Sequence, residues 1–425
     1  MAVLFRFRGV LNLVRRHPLL TAAAVGLLLR VAYVLATLHF IPHSDNQSYL
    51  DRAMYLYQHH ALMPNVKGTR VEPDAYWPPG FPAAMAILLE LNSIAHPLGD
   101  IPFIRLGFSV FGLISIPALA FIARELFGPR EGLIAAWLAA LFPPAIYVGA
   151  SMYSESMFVP IALCAIAAML AYRRDGRRRW LVIAGLLTGV SALTHSEGLA
   201  LALPLCWAAW KGPASKAGQN LAVLVAAILV VVAPWTIRNA VKFHAFVPVS
   251  TSLGNTLAGT YNPSSAAVDA HWLKPQSLPE YAGLFKAHPL TDPTQDSALT
   301  HAALSYVSKH PFYVVTAGFW NTVRILELQG SQFSANLEGI PVWGNWLGNL
   351  AFWALALVAI AGVPALRRTP GWVWLTPLLM YLAVVFLNTE TPRFRAPIDP
   401  FLMLAATPVL ARAASKMPAT RLKQR

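Results

Sequence analysis

The sequence predicts an all-α polytopic membrane protein: a bundle of about ten membrane-spanning helices, with two interfacial helices on its outer face. Three observations carry this. First, of 425 residues, 56% are hydrophobic and only 12% charged, with a mean hydropathy of +0.51; soluble domains carry about 25% charged residues. Second, apolar runs approaching the ~20 residues that a helix needs to cross the hydrocarbon recur along the whole chain. No alternating pattern of the barrel type competes with them. Third, the basic residues sort to one side once the spans are chosen. The net charge of +14 would suggest nucleic acid in a soluble chain. Here it belongs to loops that hold a topology, so no nucleic-acid partner is expected.

Apolar segments lie near 19–41, 81–97, 101–123, 132–150, 155–172, 180–196, 198–211, 220–237, 311–327, 346–366, 371–388 and 396–412. If all crossed, the cluster Arg173, Arg174, Arg177, Arg178 and Arg179 would lie outside while the basic amino terminus lay inside. That violates the positive-inside rule. Two segments are weak spans: 81–97 carries Glu90, Asn92 and His96, and 311–327 carries Asn321, Arg324 and Glu327. Laid in the outer interface as amphipathic helices, they leave ten spans whose charges sort. The inside then holds the amino terminus (Arg6, Arg8, Arg15, Arg16), Arg124 with Arg130, the Arg173–Arg179 cluster, Lys211 with Lys216, Arg367 with Arg368, and the tail from Arg412. These positions carry 20 of the 33 basic residues and three acids, Glu125, Glu131 and Asp175. The basic start reads as a signal anchor with a cytoplasmic amino terminus. Segments 180–196 and 198–211 are short and read as a shallow pair. Cys164 and Cys206 lie inside apolar runs and read as small buried hydrophobes, not as a disulfide or metal pair. The chain 1–425 is read as one domain, with a first outer loop 42–100, a long outer loop 238–345 and a basic cytoplasmic tail 413–425.

The outer loops hold the residues with chemistry. Asp45 follows the first span in His43-Ser44-Asp45-Asn46-Gln47-Ser48-Tyr49. An ionisable group at a membrane boundary is costly to desolvate and is a default site hypothesis. The four-residue spacing of Asp45, Tyr49 and Ala53 predicts a helix begun by Ser44 or Asp45, so a plain helix cap is the competing reading. In Tyr76-Trp77-Pro78-Pro79-Gly80 the paired prolines suit the first turn of a helix. Trp77 would sit in the head-group belt, folding the loop over Asp45. Arg393 and Arg395 stand at the outer end of a span, against the positive-inside trend. The planar guanidinium fork suits phosphate; the alternatives are pairing with Glu390 or Asp399, or nonspecific lipid contact. Pro392 and Pro397 predict an extended segment in which residues two apart face the same way. Arg238 is another outer-end arginine with the same alternatives. Glu155 reads as a carboxylate favourable to a helix dipole, or as a second acid facing the cavity. His195-Ser196-Glu197 could be polar glue between spans. Arg30 reads as the one charge deep in a span. No cluster has metal-ligand spacing, and no nucleotide-binding loop or zinc-hydrolase motif is present.

In this order the motifs resemble those of the GT-C glycosyltransferases, in the branch containing protein O-mannosyltransferases and lipid A aminoarabinose transferases. The residues that carry the resemblance are Asp45, Tyr49, Ala53, Pro78-Pro79, Phe127-Gly128-Pro129-Arg130 and Tyr153-Ser154-Glu155-Ser156. It continues through Pro234-Trp235-Thr236-Ile237-Arg238-Asn239, Gly254-Asn255-Thr256-Leu257-Ala258-Gly259 and Arg393-Phe394-Arg395-Ala396-Pro397-Ile398-Asp399-Pro400. The resemblance implies a GT-C bundle in a bacterial plasma membrane with its active site on the outer face. It implies an inverting transfer of sugar from a polyprenyl-phosphate donor to a lipid, glycan or protein acceptor. Asp45 would be the general base, with Arg393, Arg395 and Arg238 on the donor phosphate and Glu155, Tyr49 and Trp77 lining the cavity. No cofactor is expected. Two departures leave the acceptor and dependence on a divalent metal open. Asp45-Asn46 stands where an acidic pair is common, and Thr194-His195 where Thr-Arg is usual. The competing class is a transporter or flippase of lipid phosphate or solute, which a polar outer cavity would also suit. Against it, polar residues concentrate on one face and no paired broken helices mark the midplane. A structural subunit of an envelope complex is a third reading.

Overall fold

The computed structural model describes residues 16–62, 64–67, 70–95, 98–210, 212–287, 293–329, 340–387 and 391–416. Arg6, Arg8, Arg15, His96, Lys211, Glu390 and the tail beyond Lys416, all used in the topology argument, lie outside them.

The described chain is helical except for one three-residue strand pair, β1 (Asn65–Lys67) and β2 (Arg70–Glu72), antiparallel with Val66 opposite Val71. Helix α1 (Pro18–Ala36) is followed by α2 (Ser44–His59), the strand pair and α3 (Gly80–Ala95). Then come α4 (Asp100–Gly112), α5 (Ser115–Leu126), α6 (Pro129–Leu141), α7 (Pro143–Gly149), α8 (Glu155–Asp175) and α9 (Arg178–Thr194). A 3₁₀ turn, Ser196–Leu201, leads into α10 (Ala202–Ala209) and the long α11 (Ala214–Phe243).

Every predicted span falls on helix, and the protein is an integral membrane protein. By length and apolarity, five described segments can cross a bilayer: Pro18–Ala36, Asp100–Leu126, Glu155–Asp175, Ala214–Phe243 and Val342–Leu366. The pair α6 and α7, bent by 63°, makes a sixth. Its bend follows from the Phe-Pro-Pro run, because a proline inside a helix removes a hydrogen bond and clashes with the preceding turn. Gly128 adopts φ +130° between α5 and α6, and Gly176 adopts φ +72° at the end of α8. Those angles place glycine at both of these basic turns.

Close helix approaches use small residues, as membrane bundles require where lipid offers no hydrophobic drive for association. A side chain at Gly185 or Gly189 would strike Ala227, Leu224 or Val231 of α11. The core of the bundle is correspondingly rich in alanine, from Ala118 through Ala140 to Ala406. Cys164 and Cys206 are free thiols, each half-buried.

The long loop after α11 is a helical layer. It holds α12 (Leu253–Thr260), α13 (Pro263–Ala266), α14 (Ala282–Ala287), α15 (Pro293–Lys309) and α16 (Tyr313–Ile325). Its small cores centre on Leu257, Tyr261 and Ala303, and on Leu278, Tyr281 and Leu299. The layer is fastened to the first loop by Thr251 N–H donating to the Ala75 carbonyl at 2.9 Å. The indole of Trp235 donates to the Val249 carbonyl at 2.7 Å. The chain closes with α17 (Val342–Leu366), α18 (Gly371–Leu387), a 3₁₀ turn at Pro392–Arg395 and α19 (Asp399–Lys416).

Candidate active site

Asp45 is the second residue of α2, and it is not the cap. The backbone N–H of His43 donates to Asn46 Oδ1, and Asn46 is fully buried. His43 and Asn46 thus form a reciprocal capping box, which leaves the Asp45 carboxylate free to point elsewhere. It makes an ion pair with Nη2 of Arg393, 348 positions further along the chain. Ser44, just before, sits at φ +53°. This left-handed conformation costs a non-glycine residue roughly 1–2 kcal/mol; the fold sustains it where it aims Asp45 at Arg393.

Arg393 is the hub. Its Nε lies 3.6 Å from Glu155 Oε1. Its guanidinium lies 4.0 Å from the ring centre of Tyr153 and 4.6 Å from that of Phe394. Burial alone would lower its pKa, but Asp45 and then Glu155, with Tyr153, raise it above the ordinary value. Arg393 is thus a fixed cation. Tyr49 packs beside it with its pKa raised, chiefly by burial and then by Asp45 and Glu155. It stays a neutral phenol. Its hydroxyl lies 3.3 Å from Ser154 Oγ, and Ser154 donates to Glu155 Oε2 at 3.4 Å.

The Trp-Pro-Pro-Gly turn folds onto the same helix. Trp77 Nε1–H donates to Ser48 Oγ at 3.0 Å, and its ring centre is 4.9 Å from that of Tyr49. Arg52 donates to Ser48 Oγ at 2.6 Å and pairs with Asp74 at 2.6 Å. Tyr76 accepts from Asn255 Nδ2 at 2.8 Å, joining the outer layer to the first loop. Asp45, Tyr49, Trp77, Glu155 and Arg393, expected from sequence, therefore share one neighbourhood.

Arg395 and Arg238 are turned to other work. The segment Pro392–Arg395 is a 3₁₀ turn and not the extended strand that its prolines suggested. With three residues per turn, positions two apart diverge. Arg395 Nε pairs with Asp399 at 3.0 Å, its Nη1 donates to the Ile325 carbonyl at 2.8 Å, and its guanidinium lies 3.4 Å from the Phe352 ring centre. Arg238 donates to the Asp74 carbonyl at 3.0 Å and lies over Trp235 at 4.8 Å, tying α11 to the first loop.

Arg30 is not the sole charge deep in a span. Arg105, fully buried in α4, donates to the Thr37 carbonyl at 2.9 Å, to Thr37 Oγ1 at 2.7 Å and to the Ala150 carbonyl at 3.2 Å. It joins the end of α1 to the turn that carries Tyr153 and Glu155. An arginine inside the 101–123 segment was its visible signal. Arg30 donates to the Gly26 and Ala145 carbonyls at 3.0 and 3.2 Å. It lines a largely apolar cavity that reaches Glu155 and Asp399. Among the described residues no group of three or more His, Cys, Asp or Glu is placed to hold a metal ion.

Residues 78–237 match the family model of dolichyl-phosphate-mannose-protein mannosyltransferase. No curated protein sequence matches the chain. Among solved structures, the chain is similar to the oligosaccharyltransferase AglB from Archaeoglobus fulgidus in complex with an inhibitory peptide and a dolichol-phosphate. That likeness has 16% identity and a TM-score of 0.54, covering 97% of this chain and 53% of that one. An Archaeoglobus fulgidus oligosaccharyltransferase tethered to an acceptor peptide gives 15% and 0.54, over 94% and 50%. ArnT from Cupriavidus metallidurans, bound to undecaprenyl phosphate, gives 16% and 0.44, over 93% and 78%. The chain spans about half the length of the oligosaccharyltransferases, and what it shares with them over that span is the fold.

Proposed function

We propose that this chain, a member of the GT-C superfamily of membrane glycosyltransferases by its fold and by the family match over residues 78–237, moves a sugar from a polyprenyl-phosphate donor to an acceptor hydroxyl. The transfer takes place at the extracytoplasmic face of a bacterial plasma membrane and inverts the anomeric carbon. One observation carries the reading. Three outer segments far apart in sequence bring Asp45, Glu155 and the cation Arg393 to one place. The dolichol-phosphate in the similar oligosaccharyltransferase complex and the lipid phosphate in the family's description support a lipid-linked donor. The acceptor is a lipid, glycan or protein.

In the transfer, Asp45 takes the proton of the acceptor hydroxyl, and a lone pair of that oxygen forms the new bond to the anomeric carbon. The bond from that carbon to the phosphate oxygen breaks, and its electron pair stays on the phosphate. A positioned base typically contributes ~10²–10⁴-fold. Negative charge grows on the leaving phosphate, so a preorganised guanidinium stabilises the transition state more than the ground state. Tyr49 and Trp77 form an aromatic wall beside the acid, and the outer layer limits access of water.

The decisive experiment follows labelled sugar from membrane lipid into acceptor with Asp45→Asn. Turnover falls by ~10²-fold or more while donor binding persists. Near-normal turnover in the folded variant would return Asp45 to a structural role. Lipid movement without sugar transfer in the wild type would make the protein a flippase.

A further inference from the structure

Base and leaving group stand on opposite sides of the anomeric carbon in an inverting displacement. A hydrogen bond at each end and the reacting distance between them separate the Asp45 carboxylate from the phosphate-binding guanidinium by roughly 7–10 Å. Yet here Asp45 touches Arg393 directly. This contact and the transfer geometry exclude each other, so one must give way.

The surroundings of Arg393 decide which. Its Nε edge faces Glu155, whose side chain is 2% exposed, and its face lies on Tyr153, itself buried. Those contacts are closed to an entering ligand. Asp45, on Nη2, is 30% exposed. Nη1 makes no hydrogen bond among the described residues. A phosphate needs two parallel N–H donors for its bidentate grip. The pair Nη1 and Nη2 is that fork, and Asp45 occupies half of it.

Resting on the transfer proposed above, we infer that the donor phosphate displaces Asp45 from Arg393, so that the base is released only when the donor is in place. Glu155 and Tyr153 are the positioning residues that keep the guanidinium still during the exchange. Until then Asp45 is held against its own counter-ion. Donor therefore binds before acceptor is activated, and the lipid-linked sugar meets a freed base only in an occupied site.

The test is a double-mutant cycle on binding of undecaprenyl phosphate, used as the probe, to the full chain in detergent micelles. Asp45→Asn keeps the side-chain shape and removes the competitor, so affinity rises by about threefold or more in the Arg393 background. In the Arg393→Gln background the same change gains nothing, because no fork remains to compete for. Equal gains in both backgrounds mean plain charge repulsion and overturn the exchange, as does no gain in either. A structure of the wild type with undecaprenyl phosphate decides the same point if the glutamine variant binds too weakly. Asp45 displaced from Nη2 supports the exchange, and Asp45 still on Nη2 overturns it while leaving the transfer reading standing. Failure of the wild type to bind the lipid phosphate overturns both.

Discussion

Arg393 and Arg395 stand two residues apart on one 3₁₀ turn, yet they belong to different regions. Arg395 faces the bundle, where a backbone carbonyl, a carboxylate four residues on and an aromatic face hold it at 2% exposure. Arg105 and Arg30 are of the same kind, since their hydrogen bonds run to backbone carbonyls and, for Arg105, also to the Thr37 hydroxyl. Arg393 meets two acids, one of them, Asp45, 30% exposed. A carbonyl cannot leave its helix, whereas an exposed carboxylate can swing away. The partner, more than the arginine or its burial, separates a structural cation from a chemical one.

The largest effect that bears on this contrast is expected at Arg395. Arg395→Met leaves Asp399 buried without its ion pair, and breaking a buried pair costs roughly 3–5 kcal/mol. Folded yield and the thermal midpoint in detergent should collapse. Adding Asp399→Asn should recover part of the loss, because the uncompensated charge is gone. If Arg395→Met folds normally but cannot transfer sugar, the two arginines have been assigned to the wrong regions.

Arg393→Lys should behave in the opposite way. Lysine keeps the charge and loses the fork, so the protein folds while the single-turnover rate falls by about 10²-fold or more. Donor affinity should fall less than the rate, since the charge on the leaving phosphate grows toward the transition state. Equal losses in affinity and rate would make Arg393 a ground-state anchor only.

How far sequence reading reached follows the same division. The membrane bundle was legible because hydropathy and the placement of basic residues are summed over many positions. Asp45, Glu155, Tyr49, Trp77 and Arg393 were legible because ionisable and aromatic residues at helix ends are few. The divergence of Arg395 from Arg393 was not, because Pro392 is compatible with both an extended segment and a 3₁₀ turn. Asp399, four residues on, was among the partners the sequence offered, but the Ile325 carbonyl is brought near only by the fold. Tyr153 was quoted as part of a motif, but its use as the floor under Arg393 depends on a contact across 240 positions. Whether positions 81–97 and 311–327 lie along the membrane stays a proposal. They form helices of 16 and 13 residues, α3 and α16. Cysteines placed singly at Arg177 and Lys274 should label from opposite sides of the membrane; labelling from one side would overturn the ten-span register.

The smallest effect expected tests why Asp45 is available at all. Asn46 accepts from the His43 N–H, so the capping-box acceptor and the proposed base are separate residues one position apart. Asn46→Asp keeps an acceptor at that place. It should retain the helix start, with a modest stability loss for the added buried charge next to Asp45. Asn46→Ala removes the acceptor, and loss of a cap of this kind costs about 1 kcal/mol. His43 still accepts from the backbone N–H of position 46, but its own N–H is left vacant, and the Asp45 carboxylate can be drawn inward to it. A fall in turnover well beyond what the shifted thermal midpoint explains would mean that Asp45 has been recruited as the cap. Turnover that merely tracks stability would mean that Arg393 alone holds Asp45 in place. In that case the aim of the base is set by the last outer loop and owes little to its own helix.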